Sequence, residues 1–189
     1  MNRLLKDTIH HAILEDIGHG DVTSELTIPK DSNAKARIVA KEDFILAGMP
    51  FFNEVFNHID PAVSVEILAE EGRAIKNGDI IAKLSGRTRS LLAGERVALN
   101  ILQRISGIAT LTHSFMKEVS GFPVRITDTR KTTPGMRVME KYGVKTGGGF
   151  NHRFGLYDGI LIKDNHIAAA GGIKAAVEAA KKCHHLLKV

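Results

Sequence analysis

The stretch "VRITDTRKTTPGMRVMEKYGVKTGGGFNHRFGLYDGILIKDNH", residues 124–166, decides the fold. Its apolar start, residues 124–128, reads as a strand, and residues 135–142 carry a helical pattern. A second apolar run, residues 159–163, reads as the next strand. An alanine-rich helix follows over 173–183, ending near Cys183, and "HLLKV" at 185–189 looks like another strand beginning. Strand alternating with helix implies a parallel sheet or an α/β barrel. A closed barrel takes about eight such units and ~250 residues, and only about three fit here. The chain is therefore expected to stop inside its own architecture.

Upstream the rhythm differs. Leu5, Ile9, Ala12 and Ile13 recur at helical spacing, and "EDIGHGDVTSE" then breaks that helix with two glycines. Residues 34–47 read as strand, with Ala36, Ile38 and Ala40 alternating against charged neighbours. Pro50 starts a short helix whose apolar residues are Phe51, Phe52, Val55 and Phe56. Val63, Val65 and Ile67 alternate as a strand, and "IIAKL" at 80–84 is another. From Leu91 to Val119 the pattern is helical, with Gly107 expected to end one helix before the next resumes at Ile108. The expected fold class is an α+β N-terminal domain, residues 1–107, followed by a parallel α/β portion, residues 108–189.

Bulk properties narrow the function classes. The chain has 189 residues, 43% of them hydrophobic and 25% charged, which suits a globular protein with a sizeable core. A net charge of +5 allows nucleic acid, a membrane surface or an anionic small molecule as partner. The cations form no run, since Arg87 to Arg89 and Lys181-Lys182 are short patches, and only 5% of residues are aromatic. That argues against a nucleic-acid surface. The first eighteen residues carry Lys6, Asp7, Glu15 and Asp16, so they do not read as a signal peptide. No apolar run approaches the ~20 residues of a membrane span, and the expected compartment is the cytoplasm. The single cysteine, Cys183, gives neither a disulfide framework nor a metal cluster and reads as a buried small hydrophobe. His10-His11 and His184-His185 lie in helical stretches without metal-ligand spacing and read as surface residues.

Three cationic clusters fall at strand ends or in adjacent loops: Arg130-Lys131; Lys145, His152 and Arg153 around three glycines; and Lys163, ahead of Asp164, Asn165 and His166. In barrels and doubly wound sheets, residues just past the carboxyl ends of parallel strands line the active site. Converging there, these side chains would make a pocket for several anionic groups, with Arg offering planar forks and Lys a mobile point charge. Four or five cations packed together repel one another unless a ligand neutralises them. A highly anionic substrate is the natural ligand. Each element alone has a plainer reading: a solvated turn for Arg130-Lys131, a flexible turn for the glycines, a helix cap or Asx turn for "DNH", a surface cation for Arg96. The glycines lack the following Gly-Lys-Ser/Thr of a P-loop.

"EDIGHGDVTS", "GERVALNILQRISGIAT", "TDTRKTTPGMR" and "GGGFNHRFGLYDGILIKDNH", in this order and spacing, resemble the quinolinate phosphoribosyltransferases from about Leu5 to the end of the chain. These are the carboxylating nicotinate-nucleotide pyrophosphorylases of NAD biosynthesis. The resemblance implies an α/β barrel, here its first part only, and a pentosyltransferase reaction. Quinolinate and phosphoribosyl pyrophosphate give nicotinate mononucleotide, pyrophosphate and carbon dioxide. It implies a homodimer, or a larger assembly of dimers, whose active site joins one barrel to the partner's N-terminal domain. Arg130, His152 and Arg153 would hold the quinolinate carboxylates, and Arg96 would reach in from the partner. Lys131 and Lys163 would act where the two substrates meet, with Thr129 beside them. Magnesium would arrive with phosphoribosyl pyrophosphate. The acidic residues serving it, and the phosphate loops, are expected beyond Val189, so this chain is expected to be inactive alone. Two rival readings remain. One is a protein of the same fold from molybdate-transport operons with another acceptor. The other is a lipoyl-like binding module, suggested by the glycine-bracketed strands of residues 70–86 around Lys76.

Overall fold

The structure, a computed structural model, describes residues 3–182. Cys183, His184-His185 and the strand expected at 185–189 lie outside the described residues. Helix α1 (Arg3–Ile17) buries Leu5, Ile9 and Ile13, the face that their spacing predicts. A one-turn helix, α2 (Val22–Thr27), follows the glycine break, and Asp21 caps it by accepting from the Ser24 amide and hydroxyl. Arg89 closes its other end by donating to the carbonyls of Glu25 and Ile28, so part of the short basic patch is used internally.

The expected strand over 34–47 is two strands, β1 (Asn33–Val39) and β2 (Phe44–Ile45). Helix α3 (Met49–Ile59) buries Phe51, Phe52, Val55 and Phe56. Strands β3 (Ser64–Ile67), β4 (Ala74–Ile75) and β5 (Ile80–Arg87) complete the N-terminal half. An antiparallel sheet of order β1-β5-β3 and a smaller β2-β4 pair result. Because β4 and β5 belong to different sheets, the Lys76-Asn77-Gly78 turn is no hairpin tip. Lys76 is moreover tied to Asp43 at 2.6 Å. The lipoyl-like reading loses its structural basis.

Helix α4 (Thr88–Glu118) is the spine of the molecule, packing against α1, α2, α3, α5 and strands β1, β2 and β5. It runs unbroken through Gly107, correcting the expected helix end there. Ile105, Ser106 and Ala109 on either side of that glycine are buried, and Ser106 Oγ exchanges hydrogen bonds with the Ala47 amide and carbonyl at 3.1 and 3.0 Å. Tertiary contacts of this kind outweigh the ~1 kcal/mol helix penalty of one glycine. The expected domain boundary at 107/108 thus falls inside a continuous helix.

Beyond α4 the helices are α5 (Arg137–Thr146), α6 (Asp164–Ala170) and α7 (Ile173–Ala180). The strand expected at 124–128 contributes one parallel bridge, Thr127 to Phe150. Its hydrogen bonds run from the Asp128 amide to the Phe150 carbonyl at 3.0 Å and from the Phe150 amide to the Ile126 carbonyl at 2.9 Å. The segment expected as a strand at 159–163 makes no strand pairing among the described residues. A first parallel crossover, through α5, is therefore present, and its second strand position is Phe150. The glycines before it are spacers of a different kind from a flexible turn. Gly147 sits so close to α4 that a Cβ there would lie 2.3 Å from the Ala109 carbonyl oxygen. Gly148 follows at φ +94°.

Candidate active site

Helix α5 stands behind the two parallel segments and holds both from one face. Lys141 and Asp128 form a buried ion pair at 2.6 Å, their side chains 4% and 6% exposed. The same ammonium donates to the His152 carbonyl at 2.8 Å, and the same carboxylate oxygen accepts the His152 amide at 2.8 Å. Asn151, with its amide turned to suit its neighbours, adds a bond to the other Asp128 oxygen at 2.9 Å. One turn earlier on α5, Arg137 donates to the Phe154 carbonyl at 3.1 Å, the Arg130 carbonyl at 3.3 Å and the Thr132 hydroxyl at 3.0 Å. A single guanidinium thus bridges the loop of Arg130 and the loop of Arg153.

The next layer is also fixed. The Thr129 hydroxyl accepts the Lys131 amide at 2.7 Å, closing the turn that carries Arg130 and Lys131. Arg104 on α4 donates to Glu140 and to the Thr133 hydroxyl, anchoring the end of the same loop. Burial pushes the Glu140 carboxyl up, but the hydrogen bonds from Arg104 and Thr133 outweigh it and hold it below its ordinary range. Asp158 accepts the amides of Gly155 and Phe154, which hold its carboxyl low. Arg153 reaches the Gly159 carbonyl at 2.7 Å, joining the third segment. With Ile160, Ile162 and His166 it lines a groove against α7.

The charge pattern follows from these contacts. Asp128 is spent on Lys141, and Asp158 on backbone amides. Arg130, Lys131, Arg153 and Lys163 form no ion pair among the described residues. Arg130 and Arg153 each keep a buried Nε without a hydrogen-bond partner. Buried donors left without a partner are costly. His152 accepts the Arg153 amide on Nδ1 at 2.8 Å.

The N-cap of α6 is Lys163, one residue before "DNH": its amide donates to His166 Nδ1 at 3.1 Å and its carbonyl accepts the His166 amide at 2.8 Å. Lys163 is exposed, and its ammonium forms no ion pair among the described residues. Arg96 is exposed on α4 and has no hydrogen bond or ion pair among the described residues. It lies eight residues before Arg104, which bonds Glu140 on α5, or about 12 Å along the helix axis. Within one chain it does not join the cluster. Asp128, Arg137 and Lys141 are the members that sequence reasoning missed. Arg137 and Lys141 form an i,i+4 pair of cations just after the cationic loop, a spacing that a solvent-facing pair shares. Among the described residues no group of three or more His, Cys, Asp or Glu could hold a metal ion. No helix among them is long and apolar enough to cross a membrane.

Comparison with known proteins gives the chain its relatives. Residues 21–106 match the family model "Quinolinate phosphoribosyl transferase, N-terminal domain", and residues 108–189 match its C-terminal domain. A probable nicotinate-nucleotide pyrophosphorylase [carboxylating] of Bacillus subtilis is 49% identical over 183 residues, covering 96% of this chain and 63% of that protein. A chloroplastic nicotinate-nucleotide pyrophosphorylase [carboxylating] of Arabidopsis thaliana is 47% identical over 175 residues, 92% of this chain and 50% of that one. The crystal structure of NadC from Streptococcus pyogenes superposes with a TM-score of 0.91 at 39% identity, over 97% of this chain and 65% of that one. The chain spans between half and two thirds of the length of these relatives.

Proposed function

The chain belongs to the quinolinate phosphoribosyltransferase family, and from that premise we propose that it supplies the quinolinate side of a decarboxylating phosphoribosyl transfer. Quinolinate and phosphoribosyl pyrophosphate would give nicotinate mononucleotide, pyrophosphate and carbon dioxide, a step in NAD biosynthesis. The observation that carries the proposal is the set of unpaired cations around two buried, partnerless arginine Nε atoms.

Quinolinate is a dianion, so two guanidinium forks on adjacent loops suit its two carboxylates. We assign Arg130 and Arg153 to them, with His152 donating alongside. Lys131, held by Thr129, and Lys163 at the α6 cap are assigned to the meeting point of the two substrates. In the reaction the ring-nitrogen lone pair forms the bond to ribose C1 as the C1–O bond to pyrophosphate breaks. Binding chiefly positions two anions that would otherwise repel, and cations stabilise the charge that departs. The bond from C2 to its carboxylate then breaks, the electron pair staying at C2 beside the positive nitrogen until a proton replaces it. Magnesium enters with phosphoribosyl pyrophosphate as part of that substrate.

Arg96, stranded on its own chain, fits a homodimer in which it enters the partner's site. Sedimentation of the protein gives its mass, and a monomer at micromolar concentration that still binds quinolinate would remove this role. We read the compartment as cytoplasm, to be checked by fractionation of the source cells.

Calorimetric titration with quinolinate and with nicotinate tests the central reading. Quinolinate is expected to bind at least tenfold more tightly, because nicotinate leaves one fork empty. Equal affinity would mean that the pocket is not built for a dicarboxylate, and would favour another acceptor on the same fold.

A further inference from the structure

Arg137 and Lys141 are polar side chains that the reaction does not use. They stand four residues apart on α5, on the face turned toward the two cationic loops. Neither offers its head group to a ligand. The Lys141 ammonium is filled by Asp128 and the His152 carbonyl, and the Arg137 guanidinium by the Arg130 and Phe154 carbonyls and Thr132. Their targets are the main-chain carbonyls of Arg130, His152 and Phe154, which carry or adjoin the three side chains assigned to the dicarboxylate.

Among the described residues one backbone bridge, Thr127 to Phe150, joins the two segments directly. Past that bridge, among the described residues, the two loops share no hydrogen bond between their own amides and carbonyls and are linked through α5 side chains and Asp128. The separation of the Arg130 and Arg153 forks is therefore set by helix side chains. We propose that Arg137 and Lys141 are positioning residues, a splint on α5 that fixes the spacing of the two forks and so the preference for a dicarboxylate over a monocarboxylate. This rests on the reading of the site as a quinolinate pocket.

A splint and a general stabiliser differ in one readout. Loss of folded protein lowers the apparent affinity for every ligand by the same factor. Loss of fork spacing lowers the affinity for a ligand that needs both forks, and spares one that needs a single fork. Lys141→Met strands the buried Asp128 carboxylate and can fail to fold, so Arg137→Met, at the less buried position, is the primary variant, with Arg137→Lys as the conservative one. Quinolinate and nicotinate are titrated into the wild-type chain and both variants, with thermal melts alongside. Arg137→Met is expected to lose tenfold or more in quinolinate affinity and under threefold for nicotinate. Arg137→Lys, which keeps a donor toward one loop at a time, should fall between. An unchanged quinolinate-to-nicotinate ratio in Arg137→Met overturns the splint. A wild-type chain that binds neither ligand overturns the pocket reading instead, so the two failures are told apart.

Discussion

The Tyr142 hydroxyl donates to Glu71 Oε2 at 3.0 Å, and through that bond α5 is fastened to the N-terminal half. Glu71 is more than a surface carboxylate. It accepts the Gly48 amide at 3.0 Å and the Met49 amide at 2.6 Å, sitting on the amino end of α3 where the helix dipole favours an anion. The ring of Tyr142 meets Phe51 edge-on, with centroids 4.9 Å apart. One tyrosine thus joins the N-terminal core to the helix that braces the candidate site.

Burial, with the charge of Glu71 behind it, pushes the Tyr142 phenol up to about 12. An unfolded tyrosine titrates near 10. The folded state holds the proton more tightly, so the stabilisation is complete below pH ~10 and is lost as pH rises toward ~12. Urea midpoints measured at pH 9, 10 and 11 should fall more steeply for the wild type than for Tyr142→Phe. Parallel slopes would show that this phenol does not titrate between the two states.

Asp128 and Lys141 should behave as a coupled pair. Removing one partner leaves the other charge buried and unpaired, which costs about 3–5 kcal/mol. Asp128→Ala and Lys141→Met are each expected to destabilise by that order, and the double variant by clearly less than their sum. Chemical denaturation of the four proteins closes the cycle, and additive losses would mean that the two groups do not see each other.

Much of the fold could be read from periodicity. Leu5-Ile9-Ile13 and Phe51-Phe52-Val55-Phe56 define their helices because each buries one face against the same core. The sequence misled at Gly107, where local propensity lost to packing on Ala47, and at Phe150. Three glycines and a polar run hide the bridge at Phe150, since a single exposed apolar residue between them has no alternation to detect. Helix α6 was not expected, because its seven residues are too few to show a period. In the site, His152 and the cations Arg130, Lys131, Arg153 and Lys163 were visible as residue types at loop positions. Arg137 and Lys141 were not, because a helical cation that faces solvent and one that faces two loop carbonyls look alike in sequence. Only the contacts between residues 128–154 separate them.

Gly147→Ala tests the close approach of α5 and α4. Gly147 has an ordinary φ of −73°, so the substitution carries no backbone penalty. The new methyl would meet the Ala109 carbonyl oxygen at 2.3 Å and the Thr112 Cβ at 2.8 Å. Two helices must move apart to admit it. Overpacking of this kind costs about 1–3 kcal/mol. A urea midpoint within error of wild type would show that the helices yield freely.

Arg130→Ala separates site from scaffold. Its Nε is buried without a partner, and the side chain forms no ion pair among the described residues. Truncation therefore removes an unmet donor and relieves repulsion from Lys131 and Arg153. Folding stability should stay the same or rise slightly. Binding should respond oppositely, since a charge-assisted contact to a carboxylate is worth about 1.5–3 kcal/mol. Every 1.4 kcal/mol is a factor of ten, so quinolinate affinity is expected to fall by roughly 10- to 150-fold. Thermal melts and calorimetric titration on the same preparation read both effects. A large loss of Tm with unchanged quinolinate affinity would reverse the assignment, making Arg130 part of the scaffold and leaving the dicarboxylate to be held elsewhere.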